Sequence, residues 1–368
     1  MKRHLIAIAG ILFFLFFGAV PSFGLQYSIT DLGLYSSPNI GLFASTPRVS
    51  YKINNSNQIA GHSPEGAFLW ENGKISDLGS ANIGGINDNG ALAGNDAKGI
   101  FIWENGFKRY ISREVEFYDP VYAQVTDINN SNQISGTERI NGWENFYAYL
   151  WDDTIHTAIR IGTYSPYDFF YGMATAVNDL GQTTGWFDGD TAFLWENSVL
   201  TELSTLGGYW SSAWDINNRG QIAGEAGTAD DLSHAVLWEN GMITDMGGLE
   251  GYTGTSAWAI NESGQAVGSS FNDIYMLSDS SAFYWDSENG MINLNDYISP
   301  DSGWQLAWAS DINDLGYIVG VGIFNGETRG FLATPTPEPA TMILLGTGLI
   351  GLAGIRRKSG RHPAVQNT

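Results

Sequence analysis

There is no cysteine among the 368 residues. Disulfides, thiolate metal sites and cysteine nucleophiles are therefore excluded, and stability has to come from packing. Positive charge is also scarce, with 17 Lys and Arg against 39 Asp and Glu and a net charge of −22 at pH 7. A surface that acidic repels a phosphate backbone, which argues against nucleic acid as a partner. His62, His156 and His234 have no metal-ligand spacing, so no zinc site is expected. No phosphate loop, dinucleotide fingerprint or Ser-His-Asp set stands out.

What is present is glycine, aromatic surface and repetition. The 46 Gly and the 43% hydrophobic, 13% aromatic composition suit a turn-rich all-β protein with a large core. An Ile/Val-Asn phrase closing on Gly recurs seven times, with its Asn at Asn54, Asn87, Asn129, Asn178, Asn217, Asn261 and Asn313, which number copies 1 to 7. An apolar phrase follows each one and ends at Trp70, Trp103, Trp151, Trp195, Trp238 and Trp285, with Ala333 in the seventh copy. Steps of 33 to 52 residues between the Asn signal a propeller or a solenoid.

Copy 5 parses into four short strands, Ala213 to Asn217, Gln221 to Gly224, Ala235 to Trp238 and Met242 to Met246. Asn217 to Gly220 and Glu239-Asn240-Gly241 supply the turns between them, because Asn and Gly tolerate positive φ. Four strands in about 44 residues make one propeller blade. Copy 7 stops after its third strand, while Tyr27 to Gly33 near the N-terminus matches Met242 to Gly247, a fourth strand. The predicted fold is thus all-β, a seven-bladed β-propeller closed by the N-terminal strand over residues 25–334. A β-solenoid is the alternative, although it needs no such complementarity.

The ends have their own logic. Lys2 and Arg3, the apolar run Leu5 to Val20 and the small residues Ser22 and Gly24 form a secretory signal over residues 1–24. At the other end a Pro-rich linker precedes an apolar helix at 340–355 and a basic cluster, within a tail spanning 335–368. Pro337-Glu338-Pro339, the helix, and Arg356-Arg357 resemble the PEP-CTERM sorting tail. That resemblance implies transient inner-membrane anchoring, recognition by an exosortase-type membrane protease, and release to the cell surface or the extracellular matrix. The repeats resemble the HAF family of extracellular repeats, through Ala67 to Gly73, Leu203 to Gly208 and Ile216 to Gly224. The His of that family's name stands only at His234.

The length variation between copies falls on one face of the predicted fold, where binding usually resides. The repeated Asn read as turn formers and the repeated Trp as packing between blades. The insertion carrying Trp143, Phe146 and Tyr147 and the connection carrying Tyr164, Tyr167, Phe169, Phe170 and Tyr171 bring aromatic rings that could stack on sugars or anchor a protein; burial in a local mini-core is the other reading. Asp188, Asp190, Asp230 and Asp231 are oxygen donors suited to calcium, without EF-hand spacing. The expected function is binding or organising extracellular polymer, the producer's polysaccharide first, with no catalysis. The alternatives are a cell-surface protein scaffold and an envelope hydrolase, which would require a deep polar pocket with two carboxylates of differing proton affinity.

Overall fold

Short antiparallel hairpins account for nearly all the secondary structure, because Asn-rich and Gly-rich turns interrupt the chain every few residues. The computed structural model describes residues 26–34, 51–111, 123–140, 145–152, 157–161, 172–187, 191–274 and 276–336. The signal at 1–24 and the helix at 340–355 lie outside them. Among the described residues, no helix is long and apolar enough to cross a membrane.

Copies 1 to 6 each form four antiparallel strands that pair in sequence order. In copy 5 they are Gly207–Ile216, Ile222–Thr228, Ser233–Glu239 and Met242–Gly247, longer than the sequence parse away from the Asn turn and one residue shorter on each side of it. The extension has a cause: Leu206 bridges Thr228, and Gly207 pairs with Thr228 beyond the expected start. Most copies stand as separate four-stranded sheets, and those of copies 5 and 6 are joined by one parallel bridge, Ser233 to Gly254.

Copy 7 contributes Trp304–Ile312, Ile318–Phe324 and Glu327–Thr336, and Gln26–Leu34 pairs beside the last of these as the fourth strand. A local motif confirms the equivalence. The Asp31 side chain accepts from the Gly33 amide, just as Asp77 does from Gly79 and Asp245 from Gly247 in the fourth strands of copies 1 and 5. Arg329 then ties the two termini by pairing with Asp31.

Turn chemistry explains two sets of conserved spacing within the chain. In the third-to-fourth hairpin of copy 5, Asn240 and Gly241 sit at φ 53° and 76°, the left-handed pair that a tight hairpin demands. In the second strand, the Gly at Gly224, Gly268 and Gly320 faces a carbonyl of the first strand. A Cβ there would lie 2.2, 1.9 and 2.0 Å from the oxygens of Ser212, Ser256 and Trp308, so no side chain fits.

The core lies between neighbouring copies, as the continuous apolar third strands require. Leu237 and Met246 of copy 5 pack against Ile260, Phe283 and Trp285 of copy 6. Full burial of one such ring contributes about 1.5–3 kcal/mol. A further apolar layer gathers Trp186, Trp214, Trp258 and Trp308 from copies 4 to 7, joined with Tyr51 and Ile53 of copy 1. The Trp258 and Trp308 rings meet edge to face at 6.3 Å.

Candidate functional site

The repeated Asn does more than shape its own turn. All seven are buried, at 3–4% exposure. In copy 5 the Asn217 Oδ1 accepts from the amides of Arg219 and Gln221, which holds the turn, and its Nδ2 donates to Gln221 Oε1. The same Nδ2 also reaches the neighbouring copy and donates to the Asn261 carbonyl. This bond repeats from Asn54 to Asn87, Asn87 to Asn129, Asn129 to Asn178, Asn178 to Asn217 and Asn261 to Asn313, at 2.8–3.0 Å. Asn313 donates to the Asn54 carbonyl at 3.0 Å, so the last copy bonds the first. Asn carries separate acceptor and donor atoms on one short stem, so one can serve its own turn while the other reaches the next copy.

The following residue forms a second series on the surface. The amides of Asn55, Asp88, Asn130, Asp179, Asn218, Glu262 and Asp314 each donate to the side chain of the next member, at 2.7–2.9 Å, with Asp314 returning to Asn55. Asn and carboxylate alternate until Glu262 and Asp314, where an odd number of copies forces two acids together. Burial first, and Asp314 beside it, push the Glu262 carboxyl above its usual value.

Two residues before each Asn the copies differ, reading Lys52, Gly85, Asp127, Ala176, Asp215, Ala259 and Asp311. Charged and small residues alternate, and the cation falls where the odd count breaks the alternation. The spacing is steric: a Cβ on Gly85 would lie 2.8 Å from Asp127 Oδ1. A β-bulge precedes this position in copies 2 to 7, between Ala213 and Asp215 for example, and re-aims the side chain. Each carboxylate is then held by backbone of the next copy, Asp127 by the Val177 amide, Asp215 by Ile260 and Asp311 by Ile53, at 2.8–3.1 Å.

These layers line one cavity of about 170 Å³ to which all seven copies contribute. Six carboxylates, Asp88, Asp127, Asp179, Asp215, Glu262 and Asp311, face it with a single ammonium, Lys52. Lys52, Asp127, Asp215 and Asp311 are half-buried, the accessible part being turned to the cavity. Burial pushes the Asp127 carboxyl up to about 7 and the Asp311 carboxyl up to about 6, and it raises Asp215, with Lys52 opposing each shift. Burial alone would lower Lys52, but Asp311, Asp127 and Asp215 hold it above its usual value.

The residues singled out from sequence fall elsewhere. Trp143, Tyr164, Tyr167, Phe169, Phe170, Tyr171, Asp188 and Asp190 lie outside the described residues, as do Pro337, Glu338, Pro339, Arg356 and Arg357. Of the neighbouring aromatics, Tyr147 is buried and Phe146 half-buried. Asp230 and Asp231 are exposed in a turn closed by the Asp231 amide on the Thr228 carbonyl. Among the described residues, no three His, Cys, Asp or Glu are grouped to hold a metal ion. His234 meets Asp245 at 3.0 Å, a surface pair. Sequence reasoning missed the cavity residues, whose signal was charge inside an apolar strand, two places before the Asn.

In fold, the chain is similar to two solved propeller-class structures. The β-propeller domain of the Trilobed protease from Pyrococcus furiosus aligns with a TM-score of 0.50 and 10% identity, over 80% of this chain and 97% of that one. A chain of the Mitotic Checkpoint Complex aligns with a TM-score of 0.51 and 14% identity, over 90% and 98%. At such identity the likeness concerns fold alone, an all-β propeller-like architecture of four-stranded sheets. No curated protein matches the chain. Residues 335–358 carry a PEP-CTERM protein-sorting motif, which implies export, a transient membrane anchor and surface sorting by an exosortase, a membrane protease.

Proposed function

We propose that the repeat unit is a closed seven-bladed propeller of HAF-like repeats, displayed at the cell surface as a rigid, non-catalytic scaffold that binds extracellular polymer. The observation carrying this is the Asn series, in which Asn313 bonds Asn54 with the same geometry as every interior joint. A framework fixed at the Asn turns leaves the opposite end free to vary, because strands alternate direction within each sheet. The described insertions at 229–232, 272–274, 276–279 and 294–303 lie at that end. Calcium suits the oxygen donors of the exposed Asp230-Asp231 turn at that end.

The test is retention of the full-length chain, in nonionic detergent, on the producer's polysaccharide and on surface-protein fractions, with and without calcium. Polysaccharide retention that disappears in Tyr167→Ala and Phe170→Ala is the expected result. Retention by protein alone would replace polymer binding with a protein–protein scaffold.

One observation favours a second reading, an envelope hydrolase. The cavity holds carboxyls of unequal proton affinity, Asp127 near 7 and Asp311 near 6, as acid–base chemistry requires. Their oxygens are, however, engaged by backbone amides of the next copy. Turnover of a glycan by the wild-type chain, abolished in Asp127→Asn, would establish the hydrolase and end the non-catalytic reading.

A further inference from the structure

The cavity is not a mere cluster of acids. Lys52 lies among three carboxylates whose field it feels, yet no nitrogen–oxygen distance within 4.0 Å joins it to any of them. Among the described residues its ammonium makes no hydrogen bond or ion pair. A deep ammonium attracted to three carboxylates and touching none leaves a space with acceptors on several sides and a donor on one. Side chains at Gly85, Ala176 and Ala259 are too small to fill that space. Its walls are almost entirely polar, so an apolar guest gains nothing by entering.

The electrostatics select the occupant. With six carboxylates against one ammonium, a cleft walled by protein focuses a negative field at its mouth and concentrates cations. The Asp carboxylates lack the grouping that chelates a bare metal ion. An organic ammonium fits better, because each of its N–H groups can donate to a separate carboxylate several ångströms apart. Lys52 in turn needs an acceptor on the same guest, a hydroxyl or ether oxygen beside the amine.

We propose that the cavity binds a small organic ammonium ion bearing an adjacent oxygen acceptor, supplied by a free amino sugar of the extracellular polymer. The source rests on the polymer-binding reading above, whereas the cavity chemistry does not. Lys52 is then a built-in competitor for the carboxylates as well as a donor to the guest oxygen.

Calorimetry on the full-length chain in nonionic detergent tests this with three probes: D-glucosamine, N-acetyl-D-glucosamine and ethanolamine. Glucosamine is expected to bind at least tenfold more tightly than its N-acetyl form, which keeps every hydroxyl but loses the charge. Asp215→Asn keeps an acceptor for only one of the two amides, Ile216 and Ile260, that Asp215 holds through separate oxygens. It is expected to lower the melting temperature while retaining a cooperative transition, and to weaken glucosamine at least tenfold at a temperature where the variant is folded. Tyr167→Ala should leave glucosamine binding unchanged, which separates this site from the loop-face site. Equal binding of the two sugars, or no binding of glucosamine, overturns the proposal. Ethanolamine binding as tightly as glucosamine overturns the sugar as source.

Discussion

At the repeated Asn all seven copies carry one residue, whereas two places earlier they carry a lysine, three aspartates and three small residues. The earlier position sits on the first strand of each copy, and the Asn lies one residue beyond that strand's end. The difference follows from what each side chain touches. The Asn completes bonds to backbone, and backbone is the same in every copy, so one residue type serves everywhere. The earlier position projects into shared space, where seven identical large side chains would collide and seven identical charges would repel. Alternation solves both problems, and the odd copy number leaves the single irregularity at Lys52 and Asp311.

The largest effect should come from removing the fourth strand of copy 7. Deleting residues 25–34 strips the partner of Glu327–Thr336 and the Asp31–Arg329 pair, and the cooperative thermal transition is expected to be lost or to broaden severely. An unchanged melt would contradict the assembly of that sheet.

Next comes a change within the uniform layer. Asn217→Asp exchanges a buried donor for an acceptor facing the Asn261 carbonyl and Gln221 Oε1. It should cost about 2–3 kcal/mol in denaturant unfolding, because a buried charge then faces two acceptors. Asn218→Ala, one residue on but exposed, should cost under about 1 kcal/mol.

In the alternating layer the effect depends on pH. Asp127 is faced by Lys52 and Asp215, with Asp311, Glu262, Asp179 and Asp88 around the same cavity. Its folded pKa, about 7, exceeds that of an ordinary carboxyl. The folded state therefore keeps its proton longer than the unfolded chain does, and stability falls as pH rises from about 4 through about 7. Asp127→Asn lacks that loss. Its stability relative to the wild type should be about 1–3 kcal/mol more favourable at pH 8 than at pH 4, by paired denaturation curves. A difference of the opposite sign would show that the carboxylate is needed ionised for folding.

Most of the fold was legible, and the reasons are local. Asn217 to Gly220 announces a turn wherever it stands, and the match of Asp31-Leu32-Gly33 to Asp245-Met246-Gly247 identified the fourth strand of copy 7. The cavity was not legible. Asp127 in one copy corresponds to Ala176 in the next, so superimposing copies averages the signal away. It becomes visible only when the copies are read in cyclic order with their β-bulges in place. The Asn was read as a turn residue because its second bond runs to a partner 44 residues away, at Asn261, which no local pattern reports. Tyr147, grouped with the loop aromatics from sequence, is buried since its strand Asn145–Asp152 extends into the sheet.

The central claim is that the joint between copies 7 and 1 equals the joints inside the array. Comparing the unfolding free energies of Asn313→Asp and Asn178→Asp tests it most directly, since each removes the 3.0 Å bond to the next copy's Asn carbonyl together with one second donation, to Asn57 Oδ1 of copy 1 and to Gln182 Oε1 of copy 4 respectively. A closed ring is expected to lose the same stability at both, to within about 0.5 kcal/mol. A loss at Asn178 with little or none at Asn313 would mean that the last copy does not meet the first.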